Sequence, residues 1–178
     1  MPHTSIFTFL CLTTLLIACH KDPDAPLQGC CDIPAINSTV GNAHIYLPNI
    51  FTPNGDGVND YLWPYGDQFL ISIISFQVRD KKGQLVYQAQ DGIPNNPNVG
   101  WSGTVDGMIK EGMYSVTVQA KASDGTISTL EGKVCNFSCR DMDASDPLPI
   151  DGCQFPIQVT DGQFDPRLAP LENNDCFE

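Results

Sequence analysis

The chain has 178 residues, of which 42% are hydrophobic and 17% charged, and its formal net charge is -12. This length suits a single folded domain with flanking segments. Because so acidic a chain repels phosphate backbones, the composition excludes a nucleic-acid partner and favours the attraction of cations.

An apolar run near the N-terminus, Ile6–Ala18, predicts an export signal. The run is thirteen residues long, whereas a membrane-spanning helix needs roughly 20, so a signal peptide is favoured over a transmembrane anchor. Leu16-Ile17-Ala18-Cys19 resembles the bacterial lipobox, which would make residues 1–18 a lipoprotein signal peptide and Cys19 the acylated N-terminus. The alternative is a plain secretory peptide in which Cys19 is an ordinary cysteine.

The residues that follow support the lipoprotein interpretation. Cys19-His20-Lys21-Asp22-Pro23-Asp24 resembles the Lys-plus-acidic export tag of surface lipoproteins in the Bacteroidetes. Two acyl chains anchor a protein stably without a transmembrane helix. We therefore expect an outer-membrane protein exposed at the cell surface, with the lipid bilayer as its partner through Cys19. Residues 19–43, rich in Pro, Asp, Asn and Gly, predict a tether to the folded body.

Residues 44–137 have the pattern of a β body. Short β-type runs such as MYSVTVQAKA are separated by turn clusters such as DKKG and SDGT, and no stretch has a helical period. In the run that begins at Met113, alternation places four residues on one apolar face: Tyr114, Val116, Val118 and Ala120. The pattern predicts an all-β fold, an immunoglobulin-like antiparallel β-sandwich.

The β pattern fades in the last segment, residues 138–178. This segment contains five prolines, many acids and three cysteines, and it leaves room for one strand at most, in QFPIQV. We expect an irregular appendage that disulfides, and not a core of its own, hold against the body.

The cysteine count agrees with export. Of eight cysteines, Cys11 lies in the signal and Cys19 would be acylated. The remaining even set consists of disulfide candidates: Cys30, Cys31, Cys135, Cys139, Cys153 and Cys176. A zinc cluster is the rival hypothesis, but the paired short spacings of a zinc ribbon are missing. We expect Cys30 or Cys31 to bond Cys135 on the last strand and the others to staple the C-terminal tail.

Three stretches in chain order carry a family resemblance: IYLPNIFTPNGDGVNDYLWP, ISFQVRDKKGQLVYQ and GWSGTVDGMIKEGMYSVTVQA. They resemble the gliding-motility-associated C-terminal domain, the type B sorting domain of type IX secretion, over roughly residues 44 to 137. The resemblance implies a β-sandwich and a secretion machinery that recognises this module at the end of large exported proteins. Here the module follows a lipobox and precedes further residues, which favours a role as a folded body over a role in sorting.

The opening motif of that domain, FTPNGDGVND, offers a candidate metal site. Asn54, Asp56, Asn59 and Asp60 supply oxygen ligands within seven residues, and the intervening glycines let the backbone curl around a hard cation such as Ca²⁺. An EF-hand is excluded, because Thr52 stands where the first acidic ligand is expected and no bidentate Glu arrives at the twelfth position. The alternative is a structural turn in which Asn and Asp side chains bind local N–H groups.

The aromatic residues divide into core residues and candidate ligand contacts. We expect Trp101 and Tyr114 in the core, whereas Trp63 and Tyr65 are candidate contacts for a glycan or a protein. No enzyme is predicted, because His44 is the only histidine beyond the anchor region and GWSGT is not the Gly-x-Ser-x-Gly elbow.

These observations together predict a non-catalytic surface lipoprotein whose sandwich is a binding or structural module of the cell envelope, for adhesion or for capture of a glycan or an envelope protein. Two alternatives stay open. One is a type IX secretion substrate or accessory that uses the domain for sorting and attachment, and the other is a calcium-dependent adhesin. Ca²⁺ is the cofactor that the sequence suggests.

Overall fold

The computed structural model describes residues 29–138 and 152–170. The predicted signal peptide, the acylation candidate Cys19 and the disulfide candidates Cys139 and Cys176 lie outside these residues. Within the described part of the chain, no helix has the length and apolar character needed to cross a membrane.

The described residues form short and long strands and one 3-10 turn, Pro97–Val99. The strands are β1 (Ile36–Val40), β2 (Ala43–Leu47), β3 (Ile50–Phe51), β4 (Tyr65–Gly66), β5 (Leu70–Arg79), β6 (Leu85–Gly92), β7 (Thr104–Val105), β8 (Met108–Ile109), β9 (Gly112–Ala122), β10 (Ile127–Asn136), β11 (Val159–Thr160) and β12 (Gln163–Phe164).

Two sheets face each other across one hydrophobic core. The smaller sheet has the strand order β1-β2-β4 and the larger has the order β3-β10-β9-β5-β6. Neighbouring strands are antiparallel, except that β3 runs parallel to β10. Both sheets contribute buried side chains to the core, among them Val40, Ile45, Leu47, Phe76, Val78, Val116 and Val118. The predicted all-β sandwich is confirmed.

Alternation along the long strands decides which side chains enter this core. On β9 the predicted apolar face is buried: Tyr114, Val116, Val118 and Ala120. On β5, by contrast, Leu70, Ile73 and Phe76 are buried at intervals of three. The register against β9 shifts between Leu70 and Ser72 and again between Ile73 and Ser75. These β-bulges keep Leu70, Ile73 and Phe76 on the inner side, whereas Ile71 between them is exposed.

The body begins earlier than the predicted boundary at His44. Strand β1 pairs with β2 from Ile36 opposite Leu47 to Val40 opposite Ala43, so residues 36–43 belong to the sandwich and not to the tether. The sequence pattern did not predict this strand. β1 lies at a sheet edge, and its three central residues are polar and exposed, as they would be in a linker.

The appendage also differs from its predicted form. Of the predicted strand QFPIQV only the last residue, Val159, lies in a strand, and the regular structure is a hairpin in which β11 pairs with β12. Asp161 and Gly162, between the two strands, have φ values of 49° and 70°. An Asp-Gly pair with positive φ at both positions forms the tight turn that hairpins favour.

Among the described residues, two disulfides hold the flanking segments against the body. Cys30 bonds Cys135 on β10, and Cys31 bonds Cys153 near the start of the described appendage residues, 152–170. The adjacent cysteines therefore reach different partners, as expected. Around the bridges lies a second hydrophobic cluster, which is formed by Cys30, Ile50, Cys135, Phe137, Cys153 and Phe155.

Candidate functional site

The loop at residues 54–60 is closed by one of its own carboxylates. Both oxygens of Asp60 accept backbone hydrogen bonds, one from the N–H of Gly55 at 2.7 Å and one from the N–H of Gly57 at 2.8 Å. The two glycines have φ values of 90° and 91°, a conformation that side chains with a Cβ avoid. The glycines thus turn the two N–H groups toward Asp60.

Asn54 and Asp56 make the second set of bonds in this loop. The Asp56 carboxylate accepts hydrogen bonds from the Val58 N–H and from the Asn54 side-chain amide, both at 2.6 Å. The Asn54 carbonyl oxygen accepts the Asp56 N–H at 3.2 Å. Each of these side-chain oxygens therefore already has a donor within the loop, as the turn interpretation requires.

Asn59, the fourth candidate metal ligand, faces a different part of the molecule. Its side chain is buried, and its amide donates to the carbonyl of Pro170 at 3.0 Å and accepts the Ile157 N–H at 2.9 Å. The structure thus brings Asn54, Asp56 and Asp60 together but aims Asn59 at the appendage. Among the described His, Cys, Asp and Glu residues, no group of three or more is placed to hold a metal ion. Calcium binding by the loop stays a prediction.

Asn49, which the sequence reasoning missed, makes the densest set of contacts with the appendage. Its side-chain amide donates to the carbonyls of Ile33 and Gly152 at 2.6 and 2.9 Å, and its side-chain carbonyl accepts the Gln154 N–H at 2.7 Å. Its backbone carbonyl accepts the Cys135 N–H at 2.7 Å. One buried residue therefore connects the N-terminal segment, β10 and the appendage. The feature of the sequence that could have indicated this role is a polar residue, Asn49, placed between the apolar runs IYLP and IF.

Two tyrosines extend this contact surface along the smaller sheet. The Tyr46 hydroxyl donates to the Phe155 carbonyl at 2.9 Å, and its ring lies 6.2 Å from that of Phe164. Burial raises the pKa of Tyr46 far above its usual value and raises the pKa of Tyr65 to about 12. Tyr65 is half-buried and lines a cleft of about 520 Å³ beside Asn59. Its role as a ligand contact stays a prediction.

Trp63 is not available to a ligand, so that part of the prediction is wrong. Its side chain has no exposed surface, its indole N–H donates to the Ile93 carbonyl at 2.9 Å, and its ring packs edge-on against Phe76 at 5.5 Å. Trp101 and Tyr114 are buried, as predicted, with ring centroids 4.6 Å apart. The cluster of aromatics in the sequence around Trp63 therefore belongs to the core.

An ion pair joins Asp165 and Arg167 within the described part of the appendage. The Arg167 guanidinium donates to both oxygens of Asp165, at 2.8 and 2.7 Å, and the Thr160 hydroxyl donates to the same carboxylate. The hydrogen bonds from Arg167 hold the pKa of Asp165 well below its usual range. Residues 152–170 thus adopt a defined path in which the body binds mainly their backbone groups.

A comparison with known protein families finds a match that lies within the sandwich. Residues 45–132 match the family model described as CHU_C, a type IX secretion signal domain. The match runs from Ile45 on β2 to Gly132 on β10, so it includes the 54–60 loop and leaves out β1, Cys135 and the appendage. No curated protein matches the chain.

Proposed function

Because residues 45–132 belong to the family of CHU_C type IX secretion signal domains, we propose that this protein is an exported, non-catalytic component of the cell envelope. In this proposal the signal domain is the folded body of the protein and serves there as a binding or structural module, with a glycan or an envelope protein as its partner. The domain family fits a protein of the cell envelope or cell surface.

The observation that carries this proposal is the closure of the domain's C-terminal end. Cys135, the last residue but one of strand β10, is bonded to Cys30, and Ser138 after the strand is also held, since its N–H donates to the Glu111 carboxylate at 2.8 Å. Residues 152–170 then cover Tyr46, Asn49 and Asn59. A secretion machinery that binds the C-terminal end of a sorting module would find this surface of the domain already covered by residues 152–170.

The proposed attachment to the membrane is a lipid anchor on Cys19. The lipobox-like sequence before this cysteine and the acidic tag after it are the supporting features, and two acyl chains suffice for stable anchoring. In this arrangement the first strand, β1, would follow the anchor by a short connection, so the sandwich would sit close to the bilayer surface.

The decisive experiment replaces Cys19 by Ala in the natural host and follows the protein by fractionation and by protease shaving of whole cells. Release of Cys19→Ala into the medium or the periplasm is the expected result. The matched control is Cys11→Ala, which changes a cysteine within the same signal and should leave the protein at the surface. Surface attachment of Cys19→Ala equal to that of the unchanged protein would overturn the lipid anchor.

The family match itself favours a second candidate, in which the domain still engages the type IX machinery. The matched range includes strands of both sheets and the complete opening motif. This candidate predicts that Cys19→Ala stays at the surface and that attachment disappears in a strain without a functional type IX translocon. The two proposals thus give opposite results with one variant.

A further inference from the structure

The cations of the described residues are unevenly paired. Seven Lys and Arg residues are described, and two of them form ion pairs, Lys110 with Asp106 at 3.8 Å and Arg167 with Asp165 at 2.7 Å. The other five form no ion pair with a described carboxylate, and they are Arg79, Lys81, Lys82, Lys121 and Lys133. All five lie on the side of the larger sheet that faces away from the core, or on the β5–β6 turn at its edge.

The strand register shows how this outer face is built. Residues that alternate with the buried ones stand opposite each other on β6, β5, β9 and β10. The rows across these strands are Leu85, Arg79, Ser115 and Lys133; then Gln88, Gln77, Thr117 and Glu131; then Gln90, Ser75, Gln119 and Thr129; and finally Ser72, Lys121 and Ile127. We call this set of residues the outer face. Neighbouring strands lie about 4.8 Å apart, so the four strands of this face span roughly 14 Å.

The outer face differs in charge from the rest of the molecule. With the β5–β6 and β9–β10 turns and the end of β6 it carries five cations against four carboxylates, which are those of Asp80, Asp91, Asp124 and Glu131. The remaining described residues carry two cations against eight carboxylates. A polyanion would therefore be repelled by most of the surface and attracted on this side, which orients the encounter.

A groove adjoins the cationic end of the outer face. It has a volume of about 840 Å³ and lies between residues 33–38 and the larger sheet, and Arg79, Glu131 and Lys133 are among its lining residues. The Arg79 guanidinium is already oriented, since it donates to the Gly83 carbonyl and to the Gln77 side chain, both at 3.1 Å. A chain-like ligand in this groove would pass beside the row of the outer face that contains Arg79 and Lys133.

The uncharged residues of the outer face narrow the class of ligand. Four glutamines and several hydroxyl side chains occupy the middle rows, and they can donate to and accept from sugar hydroxyls. No aromatic side chain lies in these rows. Because proteins bind single-stranded nucleic acids by stacking bases on aromatic side chains, the outer face does not suit such a ligand. The exposed apolar side chains Leu85 and Ile127 stand at two corners of these rows, and Ile71 on β5 and Met113 on β9 are exposed outside them. None of the four lies in the middle rows, so the face has no apolar centre for a protein partner.

We propose that the outer face binds an acidic polysaccharide, with sugar carboxylates on Arg79, Lys121 and Lys133 and sugar hydroxyls on the glutamines and hydroxyl residues between them. The proposal rests on the proposed function of the domain as an envelope binding module, and it names the class of partner. Binding should weaken with added salt, because exposed charges are screened over about 10 Å at 0.1 M ionic strength.

The test measures binding of the purified full-length chain to polygalacturonate by calorimetry at low salt in the presence of EDTA. Neutral dextran is the ligand control, and vesicles that contain phosphatidylglycerol are the alternative polyanion. The variant Lys121→Gln/Lys133→Gln should bind several-fold more weakly, since one exposed ion pair is worth roughly a twofold to fivefold change in affinity. Lys110→Gln, which removes one cation elsewhere, should bind like the unchanged protein.

Saturable binding to polygalacturonate but not to dextran, weakened only by the outer-face variant, supports the proposal. Absence of binding, or equal weakening by Lys110→Gln, overturns it, as does tighter binding to the vesicles than to the polysaccharide. Near-UV circular dichroism checks that each variant is folded. A negative result would leave the anchoring experiment on Cys19 unaffected, so failure of this inference and failure of the proposed function are distinguishable.

Discussion

Asn49 and Gln154 form a reciprocal pair between the signal domain and the appendage. The side-chain carbonyl of Asn49 accepts the Gln154 N–H at 2.7 Å, and the Asn49 N–H donates to the Gln154 carbonyl at 3.2 Å. Asn49 lies inside the range that matches the domain family and Gln154 lies outside it. A residue of the family domain therefore fixes a segment that the family model does not include.

Asn49→Ala should be strongly destabilising. The change leaves the carbonyls of Ile33 and Gly152 and the N–H of Gln154 without their side-chain partner at a buried position. Unsatisfied buried polar groups cost about 1–3 kcal/mol each, so the loss of three partners should lower the free energy of unfolding, measured with urea, by at least about 3 kcal/mol. Asn98→Ala, at an exposed position, is the control, and an equal effect of both variants would contradict the prediction.

The two disulfides should have separable effects. Cys31→Ala/Cys153→Ala removes the bridge to the appendage only, so we expect hydrogen exchange in residues 152–170 to become about tenfold faster while the body stays protected. Cys30→Ala/Cys135→Ala removes the bridge to β10 inside the second cluster and should lower the free energy of unfolding by about 2–5 kcal/mol. Unchanged exchange in 152–170 of the first variant would show that side-chain contacts alone hold the appendage.

Trp63→Ala should act as a core truncation. The fully buried indole packs on Phe76 and binds the Ile93 carbonyl, and such Trp-to-Ala changes cost about 3–5 kcal/mol. Tyr61→Ala, two residues away and 38% exposed, should cost less than about 1 kcal/mol. A stable Trp63→Ala protein would contradict the assignment of this residue to the core.

The parts of the fold that the sequence predicted are those with regular periodicity. Strand β9 alternates without interruption, and its inner face is the predicted one. On β5, two bulges change the interval between buried residues from two to three. No local pattern in the sequence LISIISFQVR predicts these bulges. Strand β1 was missed because only its last residue, Val40, is buried, so its contribution comes from pairing with β2.

The candidate site shows the same division between local and long-range information. The bonds of Asn54, Asp56 and Asp60 join residues within five positions of each other, and Asx/Gly chemistry predicted such a turn. Asn59 bonds a residue 98 positions away and Asn49 one that is 105 away. Contacts at such separations depend on the path of the appendage, which the irregular sequence after Phe137 did not predict.

The 54–60 loop should keep its conformation without a cation. Because the Asp60 carboxylate accepts two backbone N–H groups, Asp60→Ala should lower the free energy of unfolding by about 1–3 kcal/mol, and removal of Ca²⁺ with EDTA should leave the midpoint of thermal unfolding unchanged. Asp32→Ala, at an exposed position, is the control. A saturable calorimetric heat with millimolar Ca²⁺ that Asp56→Ala abolishes would instead establish the loop as a calcium site.

Stability should fall in alkaline solution, and Tyr65 should contribute to this fall. Burial raises the pKa of Tyr65 from 10.0 to about 12 in the folded protein, so between these pH values the unfolded chain loses the phenolic proton while the folded protein retains it. The folded state then binds more protons, and the free energy of unfolding decreases with rising pH. Below pH 10 both states are protonated and Tyr65 adds no pH dependence.

Tyr65→Phe should remove this contribution and reduce the slope between pH 10 and 12 by up to about 1.4 kcal/mol per pH unit. The measurement is urea denaturation of both proteins at several pH values from 8 to 12, read within minutes of mixing. Tyr61→Phe is the matched control, because Tyr61 is exposed and its replacement should leave the slope of the unchanged protein. Equal slopes for Tyr65→Phe and Tyr61→Phe would show that the Tyr65 hydroxyl titrates alike in both states.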